Sequence, residues 1–194
     1  MAYLTDLSLS PDNIAVLVLS ELLDSPSIGE LHRQGFLHGW SALAATTPSA
    51  QKAVLRTITA SLDSPAARAP TGVFRRVYRH TFKLALAQGS KSIPLDMATE
   101  YWRLLLGEAG FAWRAPGTPW LEWWTGFLDE RWRKAVNKDL WDQTLLFADK
   151  TMLDGSLSWW SEESAWPGII DEFVDWVKTE KGVSAGTGAD AMEE

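Results

Sequence analysis

The 194-residue sequence contains no cysteine. A disulfide scaffold, a zinc–thiolate centre and a thiol nucleophile are therefore excluded, and a reducing compartment is compatible. No run of about 18 apolar residues occurs, so no segment reads as a membrane-spanning helix. Met1 to Ser10 lacks the basic-then-apolar pattern of a secretory signal. Histidine is scarce: His32, His38 and His80 form no H-x-x-x-H or H-E-x-x-H pair and read as surface or helix-boundary residues. The P-loop, G-x-G-x-x-G and G-x-S-x-G patterns are missing too. Asp149 to Glu163 comes nearest to a calcium loop, but its Leu157-Ser158-Trp159-Trp160 run does not supply that ligand set. Carboxylates are plentiful, yet no fold signal places two of them across a cleft. The expectation is a soluble intracellular protein that binds no metal, cofactor or membrane and is a binding module rather than an enzyme.

What is abundant is tryptophan. There are 12, eleven of them between Trp102 and Trp176. Tryptophan fills cores and anchors interfaces. Hydrophobic residues make up 46%, enough for one domain or two helical halves sharing a core. Charge is uneven. Asn137 to Glu194 holds 13 acidic and 4 basic residues, net −9, whereas residues 1–136 hold 12 and 14, net +2. The acidic third would repel phosphate, so no nucleic-acid partner is expected there. It suits a basic protein partner, or simply solvates helix faces. Arg75, Arg76, Arg79 and Lys83 share one helix and read as a solvated face.

Apolar spacing is helical nearly throughout, with no convincing β-hairpin. Ser10-Pro11 opens a first helix carrying Ile14, Leu17, Val18 and Leu22, and Asp24-Ser25-Pro26 ends it. A second carries Leu31, Phe36, Leu37 and Trp40. Thr47-Pro48 starts a third. The proline-bearing stretch Asp63 to Gly72 reads as a linker. Further helices are predicted over Val73 to Ala87, after Ile93-Pro94 through Leu105, and over Trp120 to Trp132, Lys138 to Leu153 and Ala165 to Lys178. The acidic tail over 182–194 reads as disordered.

Two stretches near the end merit closer reading. In Asn137-Lys138-Asp139-Leu140-Trp141, Asn137 can cap the helix. Asp139 then lies in the first turn, facing away from Leu140, Trp141, Thr144, Leu145 and Ala148. In Ser164-Ala165-Trp166-Pro167, serine can cap and proline fits the first turn. Asp171 falls about 140° around the wheel from Trp166 and is expected to be exposed. Read alone, both acids are also ordinary solvated residues that complement a helix dipole.

These stretches resemble the defective-in-cullin-neddylation family in its potentiating-neddylation domain. The likeness runs through Leu95-Asp96-Met97-Ala98, Tyr101-Trp102, Leu105, Trp123, Phe127-Leu128, Lys138-Asp139, Trp141 and Leu145-Leu146-Phe147. It continues in Ala165-Trp166-Pro167 and Ile170-Asp171-Glu172-Phe173-Val174, and more thinly in Leu7 to Pro11 and around Phe82. It covers residues 3–180, with a first half of about 3–65 and a second of about 70–180.

The resemblance implies an all-α fold of EF-hand-like helix pairs without calcium loops. It implies a non-catalytic, monomeric scaffold of nucleus and cytoplasm that promotes cullin neddylation. The family's cullin-binding patch falls here on Asp139, Ala165 and Asp171, facing the cullin's C-terminal winged-helix subdomain. Its pocket for the acetylated N-terminal methionine of the conjugating enzyme falls on Val16, Leu17, Leu19, Leu23, Leu31, Leu84, Met97, Tyr101 and Leu104. Ile28 and Gly29 stand where the family usually has glutamine and cysteine. The competing readings are a generic helical peptide-binding adaptor unrelated to cullins, and a helical enzyme or calcium sensor.

Overall fold

Helices carry nearly all the regular structure in the computed structural model, which describes residues 2–115, 117–161 and 163–183. The helical class read from periodicity is the one observed. The departure is an antiparallel ladder of two residues per strand. The tail expected to be disordered lies, past Val183, outside the described residues. The chain divides into two compact units, Met1–Ala112 with Lys134–Lys138, and Trp113–Arg133 with Asp139–Glu194.

The first unit begins with α1 (Ala2–Asp6) and α2 (Ile14–Leu22). Asn13, not Ser10, caps α2: its Oδ1 accepts from the Ala15 N–H at 2.9 Å. Ser10 instead bonds Asp12 in the preceding turn, so the expected start is three residues early. Every residue from Ile14 to Ser20 is buried, which makes α2 a central helix without a polar face. Helix α3 (Arg33–Ala42) packs on its end through Gly35 and Gly39. A Cβ at these positions would lie 2.1 Å from the Leu23 carbonyl oxygen and 2.5 Å from that of Leu22. Leu31, expected inside α3, precedes it.

Helix α4 (Pro48–Ala60) starts as read, with Thr47 Oγ1 accepting from the Ala50 N–H at 3.3 Å. Its buried Gln51 donates to the Ala45 carbonyl at 3.2 Å and accepts from the Tyr3 hydroxyl at 2.8 Å. Burial pushes the Tyr3 phenol up to about 12.

The expected linker, Asp63 to Gly72, is structured. Ser64 caps the short α5 (Pro65–Arg68), and the arginines of α6 (Val73–Ala85) hold the segment. Arg75 donates to the Arg68 carbonyl (2.8 Å), Arg76 to that of Thr71 (3.1 Å) and Arg79 to that of Pro70 (3.5 Å). Arg76 also pairs with Glu21 at 2.8 Å. Arg76, Arg79 and Lys83 are exposed, as a solvated face requires, and the three arginines also act as a staple: carbonyls that a loop leaves unpaired are satisfied by guanidinium donors.

Helix α7 (Leu95–Leu105) buries Ala98, Trp102 and Leu105, and the Trp102 indole donates to the Tyr78 hydroxyl at 2.8 Å. Before it, β1 (Ser92–Ile93) pairs with β2 (Val136–Asn137), Ile93 opposite Val136, both fully buried.

The second unit holds α8 (Trp120–Phe127), α9 (Lys138–Leu153) apart from its first residue, and α10 (Gly168–Glu180). Periodicity predicts α8 through Trp132. The last turn, Leu128–Trp132, is instead a π-turn closed by the Arg133 N–H on the Leu128 carbonyl at 3.0 Å, with Arg133 left-handed at φ 50°. Helix α9 has the predicted bounds. Helix α10 starts three residues later than read, after Pro167, with no side-chain cap. Phe147 and Phe173, 5.8 Å apart, centre an aromatic core with Trp120 and Trp124, both buried. None of the helices is long and apolar enough to cross a membrane among the described residues.

Candidate functional site

Asp139 is the second residue of α9 and is exposed, while Leu140, Trp141, Thr144, Leu145 and Ala148 are buried, as the wheel predicts. An acid in a first turn is favoured by the partial positive charge of the helix N-terminus, so its placement needs no further support.

Ala165 lies in the loop between α9 and α10 and is exposed. The loop is built locally. The Asp154 carboxylate accepts from the Ser156 N–H (2.9 Å) and hydroxyl (2.6 Å) and from the Ser158 hydroxyl. The Ser156 hydroxyl, then that of Ser158, holds the Asp154 carboxyl below its usual range. This is a turn cap built from the stretch that came nearest to a calcium loop. The Trp159 indole donates back to the Asp154 carbonyl at 3.0 Å. Trp166, next to Ala165, then meets Phe147 edge-on at 5.9 Å.

Asp171 sits in the first turn of α10. It is half-buried, with Oδ1 shielded from solvent, and other groups of the chain engage it. This corrects the expectation of an exposed carboxylate. A wheel angle places a side chain about its own helix axis but does not count the neighbours packed beside it. Ile170, Phe173 and Val174, around it on α10, are fully buried.

All three expected patch residues thus belong to the second unit. Ala165 and Asp171 flank aromatic residues, Trp166 and Phe173, that meet at Phe147. Phe147 lies eight positions along α9 from Asp139, about 12 Å of helix rise.

The expected pocket residues belong to the first unit and split into two sets. Val16, Leu17, Leu19, Leu23 and Leu84 are buried. Leu31 and Met97 are exposed, while Tyr101 and Leu104 are half-buried. On α7, Met97, Tyr101 and Leu104 fall at i, i+4 and i+7, so they form one stripe beside the buried stripe of Ala98, Trp102 and Leu105. Burial raises the Tyr101 phenol above its usual value, so it stays a neutral donor. Ile28, at a position where the resemblance expects glutamine, is exposed. A separate recess of about 320 Å³, lined by Leu7, Leu9, Lys52, Leu55 and Arg56 among others, shares no residue with this set.

His80 is buried, not a boundary residue, and burial, then the Lys83 charge, lowers its pKa. Among the described residues, no three His, Asp or Glu side chains are grouped so as to hold a metal ion. One feature escapes the sequence reading: Trp160 and Trp166 stack 5.5 Å apart at 23°, both half-exposed, beside Ala165. The doubled tryptophan within a polar stretch was its only signal.

The geometry defines a mainly helical protein with an acidic candidate surface in its second unit and a part-exposed apolar stripe in its first. The family model for cullin binding matches residues 50–176, which include Asp139, Ala165 and Asp171. The chain is 34% identical to Defective in cullin neddylation protein 1 of Pyricularia oryzae, over 96% of this chain and 68% of that protein. It is 32% identical to the protein of that name from Yarrowia lipolytica, over 91% of this chain and 68% of the relative. To DCN1-like protein 4 of Danio rerio it is 31% identical, over 89% of this chain and 56% of that protein. The chain belongs to the cullin-binding family.

Proposed function

We propose that this protein is a non-catalytic scaffold that promotes cullin neddylation. Its second unit binds a cullin C-terminal winged-helix subdomain, and its first receives the acetylated N-terminus of the neddylation conjugating enzyme. The observation that carries the reading is the placement of Asp139 and Ala165. Both are exposed in one unit, within the acidic third of the chain, and inside the segment matching the cullin-binding family.

The physics of each surface supports its role. Exposed carboxylates steer a basic partner and fix its orientation more than they add affinity, and the small Ala165 lets a partner approach closely. The apolar stripe of Met97, Tyr101 and Leu104 suits a methionine side chain. Acetylation removes the terminal charge, so the residue is buried without a large desolvation penalty. Val16, Leu17, Leu19, Leu23 and Leu84 are buried, so their part in such a pocket is to shape the core of the unit that carries the stripe. Holding both partners at once turns a loose encounter into a nearly intramolecular one, and the reactive groups belong to the partners. The scaffold works as a monomer.

The test is a reconstituted transfer assay at subsaturating conjugating enzyme, with Asp139→Arg against wild type. Transfer is expected to slow and cullin binding to weaken. Unchanged transfer by a folded Asp139→Arg variant refutes the reading.

A further inference from the structure

Trp160 and Trp166 bracket a tight turn. The Ser164 N–H bonds the Ser161 carbonyl at 3.0 Å, and the Trp166 N–H bonds that of Ser164 at 2.8 Å. The two indoles lie face to face, and Ala165 precedes Trp166 in the chain. Phe147 meets both edge-on at 6.1 and 5.9 Å, and Trp159 packs against both at 5.7 and 5.9 Å. Glu163 is exposed on the same turn. Trp113, Trp120, Trp124 and Trp141 of this unit are buried, whereas Trp123, Trp132, Trp159 and Trp176 are half-exposed like Trp160 and Trp166. What sets Trp160 and Trp166 apart is that their two indole rings lie near-parallel, at 23°.

Indole faces in this unit already seat cations. Lys150 Nζ lies 4.8 Å from the Trp159 ring and Lys181 Nζ lies 4.7 Å from that of Trp176. The sequence from Asn137 onward carries a net −9, which favours an incoming cation over any anion.

We propose that the Trp160–Trp166 stack and Glu163 form a seat for an arginine side chain of the basic segment that docks on Asp139 and Ala165. The guanidinium lies flat on the indole while its edge donates to the Glu163 carboxylate. Arginine fits better than lysine because its planar cation stacks and forks, whereas an ammonium is a compact, strongly hydrated charge. The seat rests on the cullin-docking reading and adds to it an aromatic anchor continuous with the exposed Ala165.

The test uses the whole chain and calorimetric titration with a purified cullin C-terminal domain, with thermal midpoints confirming that each variant folds. Trp160→Leu keeps an apolar side chain but removes the ring and is expected to bind about tenfold more weakly, whereas Trp160→Phe stays within about threefold. Glu163→Gln is expected to weaken binding and lower its salt dependence. In a second measurement, tetra-arginine amide is expected to perturb tryptophan fluorescence at lower concentration than tetra-lysine amide, and Trp160→Leu to abolish that difference. If Trp160→Leu binds the cullin domain like wild type while Asp139→Arg does not, the seat is overturned and the docking reading stands. Equal weakening by Trp160→Leu and Trp160→Phe, or no preference for the arginine peptide, also overturns the seat. If wild type does not bind the cullin domain, the docking reading and the seat fall together.

Discussion

The indole of Trp113 donates a 2.8 Å hydrogen bond to the Thr151 hydroxyl, and both residues are about 1% exposed. Thr151 in turn donates to the Phe147 carbonyl at 3.0 Å, so one hydroxyl ties the segment before α8 to the last turns of α9. Thr151→Val keeps the shape and removes the acceptor, leaving a buried N–H unpaired. The expected cost is about 1–3 kcal/mol, read as a lower urea midpoint at unchanged slope.

Gly39 offers a second test. A methyl there would press 2.5 Å from the Leu22 carbonyl oxygen and 2.8 Å from Leu23 Cδ2. Alanine is the better helix former, so Gly39→Ala would stabilise an isolated α3. In the folded chain it is expected to destabilise by about 1–3 kcal/mol, because backbone yields less readily than a side-chain tip. A raised thermal midpoint would show that α3 moves away from α2 at little cost.

His80 makes stability depend on pH. Burial, then Lys83, lowers its folded pKa below the ordinary 6.5, with Glu21 and Asp24 opposing. As pH falls through that ordinary value the unfolded chain takes up a proton that the folded chain takes up only at lower pH. The unfolded state then binds more protons, and stability falls with pH. Denaturant midpoints measured from roughly pH 7.5 to 5.5, above most carboxylate titration, are expected to decline for wild type and flatten for His80→Gln.

The two patch acids are expected to behave differently. Asp139 is exposed, so Asp139→Arg should leave stability within about 0.5 kcal/mol while weakening cullin binding. Asp171 has a shielded oxygen, so Asp171→Arg should lower the thermal midpoint as well as binding. Equal midpoints for the two variants would show that Asp171 turns out to solvent without penalty.

Met97 tests the other surface. It is 39% exposed on the α7 stripe, so Met97→Asp should fold normally and lose affinity for an acetyl-methionine peptide, measured by fluorescence polarisation. Retained affinity would place that contact away from the stripe.

Sequence reading was most successful where one helix answers to its own periodicity. The bounds of α9, the exposed position of Asp139 and the Thr47 cap of α4 all follow from spacing and local chemistry. It did less well where a neighbour decides. The shielding of Asp171, the burial of His80 and the work of Arg75, Arg76 and Arg79 on the carbonyls of residues 68–71 are tertiary facts. The β1–β2 ladder is too short for any alternation to show, since two residues hold one period.

The amino-acid sequence alone determined the helical class, most helix positions and the segments resembling the cullin-neddylation family, because periodicity and capping are properties of adjacent residues. Tertiary structure alone decided which acids face solvent, which apolar residues stay open to a ligand, and that two tryptophans six positions apart lie face to face. Those outcomes depend on what packs beside each side chain, and neighbours distant in sequence leave no local trace.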